Sequence, residues 1–171
     1  EAIYNTFAER SYPGGLTYSG HPLATACAVA TINVMEDEGM IDNAARIGTD
    51  VLGPGLRQLA AKHPSVGEVR GLGVFWALEL VANQQTREPL APYGGSSPAM
   101  TEVLAACKAG GLLPFANFNR IHAVPPCNVS EAEISEGLQI LDDALTVADK
   151  HGPCPRVLDT LNPGLFLGEA R

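Results

Sequence analysis

Residues 65–81, SVGEVRGLGVFWALELV, decide the class of fold. Polar and apolar residues alternate along this stretch, and branched and aromatic side chains are frequent, which is typical of β-strands. Gly71 and Gly73 divide the stretch, so the pattern predicts a strand, a turn or bulge, and a second strand. Two further short strands are predicted in LLPFANF (112–118) and RIHAVPP (120–126).

Helices are predicted before this strand pair. Pro22 suits the first turn of a helix, and residues 23–38 are apolar on nearly every side, so we expect a buried helix that ends at Gly39. A second helix is predicted from Ile41 to His63. Its apolar side is expected to contain Ile41, Ala45, Gly48, Leu52, Leu56 and Leu59.

A proline interrupts the second predicted helix. Pro54 lies between Gly53 and Gly55, lacks a backbone N–H, and crowds the carbonyl group of Asp50. We therefore expect a kink or a short break at this point.

The second half of the chain predicts a long loop and two more helices. Residues 83–98 are rich in proline, glycine and polar residues, which indicates a loop, and a modest helix is predicted over 99–109. Ser130 and Glu133 have the spacing of a capping box for a closing helix. Its apolar positions are Ile134, Leu138, Leu141, Leu145 and Ala148. The order of elements predicts an α+β fold, with helices packed on a small, mainly antiparallel sheet.

Composition excludes several function classes. The 171 residues carry 11 basic and 19 acidic side chains, a net charge of −8, so binding to nucleic acid is not expected. No apolar run is long enough to span a bilayer, and residues 1–10 do not have the layout of a signal peptide, so we expect no membrane partner and a cytoplasmic protein. The four cysteines and four histidines lack metal-ligand spacing, and no metal is expected.

The segment GGLTYSGHP, residues 14–22, precedes the first predicted helix. The first N–H groups of a helix have no partner within the helix, and its dipole leaves partial positive charge at that end. With the hydroxyl groups of Thr17 and Ser19 beside it, this end has the donors of a phosphate or carboxylate site. Helix capping and turn formation are the commoner use of these residue types.

Four stretches together resemble one enzyme family. GGLTYSGHPLATACAVATINVMEDEG (14–39), VGEVRGLGVFWALELV (66–81), GLLPFANFNRIHAVPP (111–126) and SEAEISEGLQILDDAL (130–145) are similar, in this order, to the class III pyridoxal-phosphate (PLP)-dependent aminotransferases of fold type I. The likeness covers residues 1–150 approximately. It implies the carboxy-terminal part of such an enzyme.

The resemblance implies a role in cofactor binding for two residues. Thr17 would reach across a dimer interface to the phosphate of the neighbouring subunit's PLP, and the backbone at Leu16 would assist. His21 and Pro22 would fix the turn into the helix. The parent enzyme would be a homodimer through its large domain, acting on amine and keto-acid substrates.

The resemblance also implies a division of the chain. Residues 1–30 would be the end of the large cofactor-binding domain, residues 31–151 the small α+β domain, and residues 152–171 a tail of unknown role.

The catalytic lysine of the family, which holds PLP as a Schiff base, has no counterpart here. The three lysines, Lys62, Lys108 and Lys150, fall in the small-domain region, where surface positions are expected. We therefore expect no catalytic residue in this chain and no turnover by the chain alone. A non-catalytic module for anion binding or dimerisation, and a degraded pseudoenzyme, stay open as alternatives.

The substrate side of the resemblance departs from the family. Counting back from Pro125, the position at which many relatives bind a substrate carboxylate with arginine is occupied by Phe115. Arg120 lies five residues along, which on one extended strand would point it to the opposite face. Phe115 and Phe118 are candidates for the wall of an apolar substrate pocket, and core packing is an equally good interpretation of both.

Overall fold

The computed structural model describes residues 1–152; from residue 153 on, the predicted tail lies outside the described residues. The helices are α1 (Ala2–Glu9), α2 (Pro22–Asp37), α3 (Met40–Ile47), α4 (Gly53–Lys62), α5 (Pro98–Ala109) and α6 (Glu131–Asp149), with a π-helical turn at Gly48–Leu52. The strands are β1 (Val66–Leu72), β2 (Phe75–Asn83), β3 (Glu88–Pro89), β4 (Phe115–Asn117) and β5 (Arg120–Ala123).

The sheet is antiparallel at every pairing. Its strand order is β1–β2–β5–β4, and the short β3 pairs with the end of β2. The predicted α+β class and mainly antiparallel sheet are therefore confirmed.

The chain divides into two compact units, Glu1–Glu38 and the residues from Gly39 on. The first contains α1 and α2, and the second contains the whole sheet and the other helices. The domain boundary expected after residue 30 falls inside α2.

One face of the sheet forms the core of the second unit. Trp76, Leu78 and Leu80 alternate along β2 and are at most 4% exposed. Ile121 of β5 pairs with Leu78 and is fully buried beside it. Other fully buried side chains come from the flanks of the π-helical turn and from α5 and α6, among them Ile47, Leu56, Val103, Cys107, Leu145 and Ala148.

At the predicted kink or break in the second helix, the structure has a π-helical turn, in which the helix is locally wider. Gly53 donates its N–H to the carbonyl oxygen of Gly48, a bond across five residues that defines a π turn. Pro54 then occupies the first turn of α4, where its missing N–H costs nothing.

The same turn corrects the predicted apolar side of this helix. Ile41 is 62% exposed and Ala45 is also exposed, whereas Ile47 is buried and Ala44 packs against the core. The extra residue in the π turn rotates α3 relative to α4. A single 3.6-residue pattern of apolar positions therefore does not describe the buried side of both helices. Leu52, Leu56 and Leu59 are buried as predicted.

Helix α2 is not buried, contrary to the prediction. None of its residues is buried, and Leu23, Val29 and Ile32 are each more than half exposed. Within the first unit only α1 and the segment before α2 are available, and these leave the apolar side chains of α2 in contact with solvent.

The last helix is capped as the sequence predicts. Glu133 accepts a hydrogen bond from the Ser130 amide at 2.8 Å, and the Ser130 hydroxyl oxygen accepts one from the Glu133 amide at 3.3 Å. The predicted apolar positions face the core, with Ile134, Leu141 and Leu145 buried. The loop predicted over 83–98 contains the two-residue strand β3, and its end residues Asn83 and Pro98 belong to β2 and α5.

Candidate functional site

The segment ahead of α2 forms a tight turn. The Ser19 amide donates to the carbonyl of Leu16 at 3.0 Å, and the His21 amide donates to that of Tyr18 at 3.1 Å. Gly20 has φ +72°, a conformation that glycine adopts without strain. The Tyr18 and His21 rings stack with centroids 4.9 Å apart, which fixes the entry into α2.

Thr17 lies exposed on this turn. Within residues 1–152 its hydroxyl group makes no hydrogen bond, and neither does the hydroxyl group of Ser19. The N-cap residue of α2, His21, supplies no side-chain cap. The first turn of α2 and these hydroxyl groups are therefore unsatisfied donors, which suits an external anion.

Phe115 and Phe118 lie on one hairpin in different surroundings. The Phe115 ring, on β4, lies 5.3 Å from the ring of His122 on β5. Phe118 is in the two-residue turn, where its ring lies 4.9 Å from Tyr93 and the Arg120 guanidinium lies 5.9 Å from its centroid. Phe118 has a backbone φ of +56°, a conformation that residues other than glycine rarely adopt.

A pair of hydrogen bonds holds that turn in place. The amide of Leu80 donates to the Asn119 carbonyl at 2.8 Å, and the Asn119 side chain donates to the Leu80 carbonyl at 2.8 Å. These bonds offset the strain at Phe118 and fix the hairpin on β2.

The register of the hairpin corrects the expected position of Arg120. Phe115 pairs with His122, and Asn117 pairs with Arg120. Paired residues point to the same face, and so do residues two apart on one strand, so Arg120 lies on the same face as Phe115. The expectation of opposite faces was wrong because a turn, and not one continuous strand, separates them.

His122 is a residue that the sequence reasoning missed. Its ring lies between Phe115 and Phe75, 6.4 Å from the latter, on the face of the sheet away from the core. Alternation with the buried Ile121 was the signal that could have placed it there.

A cavity of about 620 Å³ lies between the β4–β5 hairpin and α6. It is mainly apolar, and its lining includes Leu112, Phe115, His122, Pro125, Ile134 and Leu138. Glu133 also borders it, and the hydrogen bonds from the Ser130 amide and hydroxyl lower the pKa of its carboxyl. That carboxylate is committed to the helix cap, so the cavity holds no free acid at this wall.

The lysines lie in the second unit, as expected. The Nζ of Lys62 contacts both carboxylate oxygens of Asp142, at 2.7 and 2.5 Å. Lys108 is at the end of α5 and Lys150 caps α6, and both are exposed.

The three cysteines of the described residues give no sign of a reactive site. Cys107 is fully buried, and burial raises the pKa of its thiol. Cys27 and Cys127 are exposed and unpaired with one another. In residues 1–152 no group of three or more histidine, cysteine or acidic side chains has the arrangement of a metal site. Over the same residues, no helix combines the length and apolar character needed to cross a bilayer.

The fold and the comparisons define the class of protein. The family profile described as aminotransferase class-III matches residues 1–145, so the chain belongs to this family. It is 33% identical over 139 residues to ethanolamine-phosphate phospho-lyase homolog 1 of Caenorhabditis elegans, covering 78% of this chain and 28% of that protein. It is 33% identical over 143 residues to the 4-aminobutyrate aminotransferase of Escherichia coli strain K12, covering 80% of this chain and 32% of that protein.

A solved structure gives the same result. The taurine:2-oxoglutarate aminotransferase of Bifidobacterium kashiwanohense, in complex with PLP and glutamate, superposes with a TM-score of 0.75 at 33% identity. The match covers 88% of this chain and 33% of that one. This chain therefore spans about a third of the length of the relatives it matches.

The residues present fit one end of PLP. The free Thr17 hydroxyl and the unsatisfied amides at the start of α2 are suitable donors for its phosphate. A lysine for the aldehyde end is not among the residues of the first unit, and Lys62 is engaged by Asp142 in the second. Thr17 and the amides at the start of α2 therefore fit the phosphate end of PLP, and residues 1–38 contain no lysine for its aldehyde end.

Proposed function

We propose that the protein to which this chain belongs is a PLP-dependent aminotransferase that moves an amino group between an amine or amino acid and a keto acid. The observation that carries the proposal is family membership over residues 1–145, in which the segment ahead of α2 presents the free hydroxyl group of Thr17. When bound, PLP supplies an electron sink for the negative charge that develops on the substrate carbon. This chain alone would not turn over.

In this proposal Thr17 donates a hydrogen bond to the phosphate group of PLP in a neighbouring subunit. Its exposed hydroxyl has no partner within residues 1–152, so the donor is free to meet a group from outside the first unit. The amide of Leu16 is the second donor. A hydrogen bond to a charged phosphate is stronger than one between neutral groups, so Thr17 should contribute to PLP retention.

The test compares two changes at Thr17 in the protein of full natural length. Thr17→Val keeps the shape and removes the donor, and it should weaken PLP binding by about 1 to 3 kcal/mol, or about 5- to 150-fold. Thr17→Ser keeps the hydroxyl group and should retain most of the affinity. PLP remaining after gel filtration, read from its visible absorbance, is the measurement.

A matched control lies on α2. The hydroxyl group of Thr31 donates to the Cys27 carbonyl within the helix, at 2.9 Å, so Thr31→Val removes a hydroxyl group of no use to PLP. It should leave PLP binding unchanged. Wild-type affinity in Thr17→Val would remove Thr17 from the cofactor site.

A dimer follows from the same proposal. If Thr17 serves the neighbouring subunit's phosphate, one subunit cannot complete its own site. Sedimentation of the full-length protein should give twice the monomer mass. A monomer with full PLP-dependent activity would contradict the contact between subunits.

Phe115 is the better supported of the two proposed pocket residues. It borders the 620 Å³ cavity, whereas Phe118 packs against Tyr93 in the turn. Phe115→Ala in the full-length enzyme should change KM for bulky apolar amines more than Phe118→Ala does. Equal effects of the two variants on KM would contradict the assignment of Phe115, rather than Phe118, to the substrate pocket.

A non-catalytic role in assembly is the second candidate. The exposed apolar side chains of α2, such as Leu23, Val29 and Ile32, favour it because surfaces of this kind bind other chains. Incubating the full-length protein with PLP and an amine separates the two. Formation of the carbonyl product supports the aminotransferase, and assembly without PLP uptake supports the second candidate.

A further inference from the structure

A buried histidine in the second unit lies between two carboxylates. The ring of His63 is 2% exposed. Its Nε2 lies 2.7 Å from Oδ1 of Asp142, and its Nδ1 lies 2.7 Å from Oδ2 of Asp149. Both ring nitrogens are therefore within hydrogen-bonding distance of an acceptor.

A neutral imidazole cannot satisfy this arrangement. It has one N–H, so its second nitrogen would place a lone pair against a carboxylate oxygen at 2.7 Å. Two donors are needed, and only the doubly protonated ring has them. A proton on one of the carboxyl groups is the alternative source.

The surroundings favour ionised carboxylates. Lys62 donates to both oxygens of Asp142. Its hydrogen bond, and then that of His63, holds the pKa of the Asp142 carboxyl below its usual value. The other oxygen of Asp149 accepts the Ser65 amide at 3.1 Å, an interaction that a carboxylate makes strongly.

The charges balance only when the ring carries its second proton. The titratable groups in contact with it are Asp142 and Asp149, both from α6, and Lys62 of α4 reaches it through Asp142. Two cations then oppose two anions. Loss of one proton from His63 leaves a net negative charge on two carboxylates that are only 18% and 25% exposed, and the lone pair of one ring nitrogen then faces a carboxylate oxygen, which is costly.

The cluster joins three elements. His63 is the C-cap residue of α4, Ser65 leads into β1, and Asp142 and Asp149 lie seven residues, or two turns, apart on one side of α6. We propose that His63 is held as an imidazolium ion and acts as a proton-dependent clasp, which fixes the end of α6 to the corner between α4 and β1. When the ring loses its second proton, the contact between His63 and Asp149 opens. Asp142 keeps the neighbouring positive charge of Lys62, so the contact on that side is retained.

The first test reads the proton directly in the folded protein of full natural length. Nitrogen chemical shifts of the His63 ring, assigned by their loss in His63→Gln, should show two protonated nitrogens at about pH 7. One protonated and one bare ring nitrogen would overturn the proposal.

The second test uses a milder variant, since His63→Gln removes a buried ring. Asp149→Asn keeps an acceptor for the Ser65 amide but removes one of the two carboxylates that face the ring, so one ring nitrogen should be bare at about pH 7. Two protonated ring nitrogens in Asp149→Asn would overturn the clasp.

The third readout is opening of the clasp. On raising the pH, hydrogen exchange at the Ser65 amide should accelerate beyond the general increase from hydroxide catalysis, while the amide of Val103 in α5 should follow that increase alone. His151→Gln is the matched control, because His151 meets a single carboxylate, Glu102, at 2.7 Å and is 32% exposed. It should leave exchange at Ser65 unchanged, and a Ser65 amide that stays protected at all pH values would contradict the clasp.

Discussion

A β-carbon on Gly48 would stand 1.9 Å from the carbonyl oxygen of Gly73, so the π-helical turn and the β1–β2 turn meet backbone to backbone. The same oxygen accepts the indole N–H of Trp76 at 2.6 Å. Gly73 has φ +53°, which suits glycine in the turn. Ile47, the residue before Gly48, is fully buried in the core.

Gly48→Ala should destabilise this chain by about 1 to 3 kcal/mol, because the added methyl group meets backbone that cannot move aside. Thermal unfolding followed by fluorescence of Trp76, the only tryptophan, is the measurement. Gly137→Ala is the control, since its β-carbon would have only Leu112, at 4.0 Å, near it. That change inside α6 should stabilise by about 0.5 to 1 kcal/mol, and equal effects of the two would show that the close contact does not matter.

Ser130→Ala should cost about 0.5 to 2 kcal/mol of stability, because it removes the acceptor for the Glu133 amide at the start of α6. Ser135→Ala, one turn into the helix, should have a smaller effect, since its hydroxyl only donates to the carbonyl of Glu131. Denaturant unfolding of the two variants is the comparison, and a larger loss in Ser135→Ala would contradict the role of the cap.

Acid should weaken the second unit through Asp142. Lys62 and then His63 lower the pKa of its carboxyl, so the folded state binds a proton there less readily than the unfolded chain. The stabilisation is present above the usual aspartate value of 3.8 and is lost as the pH falls through the lower, folded value.

The measurement for Asp142 is the unfolding midpoint against pH in Asp142→Asn. This variant should lose less stability on acidification than the wild type. Asp143→Asn is the control at an exposed neighbour on α6 and should keep the wild-type profile. If both variants follow the wild type, Asp142 does not contribute to acid sensitivity.

The 171-residue chain alone should form no product from an amine and a keto acid when PLP is added. Lys62 forms an ion pair with Asp142. The other two lysines lie at exposed helix ends in the second unit, far from the Thr17 segment in sequence. Carbonyl product measured after incubation is the readout. PLP-dependent turnover that is lost on Lys108→Arg or Lys150→Arg would overturn this expectation.

The sequence was informative where the signal is local. The alternation in residues 65–81 predicted β1 and β2 with a turn at Gly73, and the Ser130–Glu133 spacing predicted the cap of α6. Pro54 located the irregularity in the second helix, because a missing N–H acts within a single turn. The family likeness, read from the order of four segments, was confirmed by the match over residues 1–145.

The sequence was misleading where the outcome depends on how elements meet. It placed Ile41 and Ala45 on the apolar side of α3, but the π turn rotated them outwards. It placed Arg120 opposite Phe115, but the strand register puts them on one face. It gave no sign of the His63 cluster, because 79 and 86 residues separate the histidine from its two carboxylates.

By itself, then, the sequence determined the α+β class, the positions of turns and caps, and membership of the class-III aminotransferase family. These rest on residues close in the chain, or on their order. Tertiary structure alone decided that Phe115, Arg120 and His122 share a face and that His63 meets Asp142 and Asp149. Register and helix rotation set these contacts, and both are fixed by core packing, in which a shift of one residue redirects every side chain that follows.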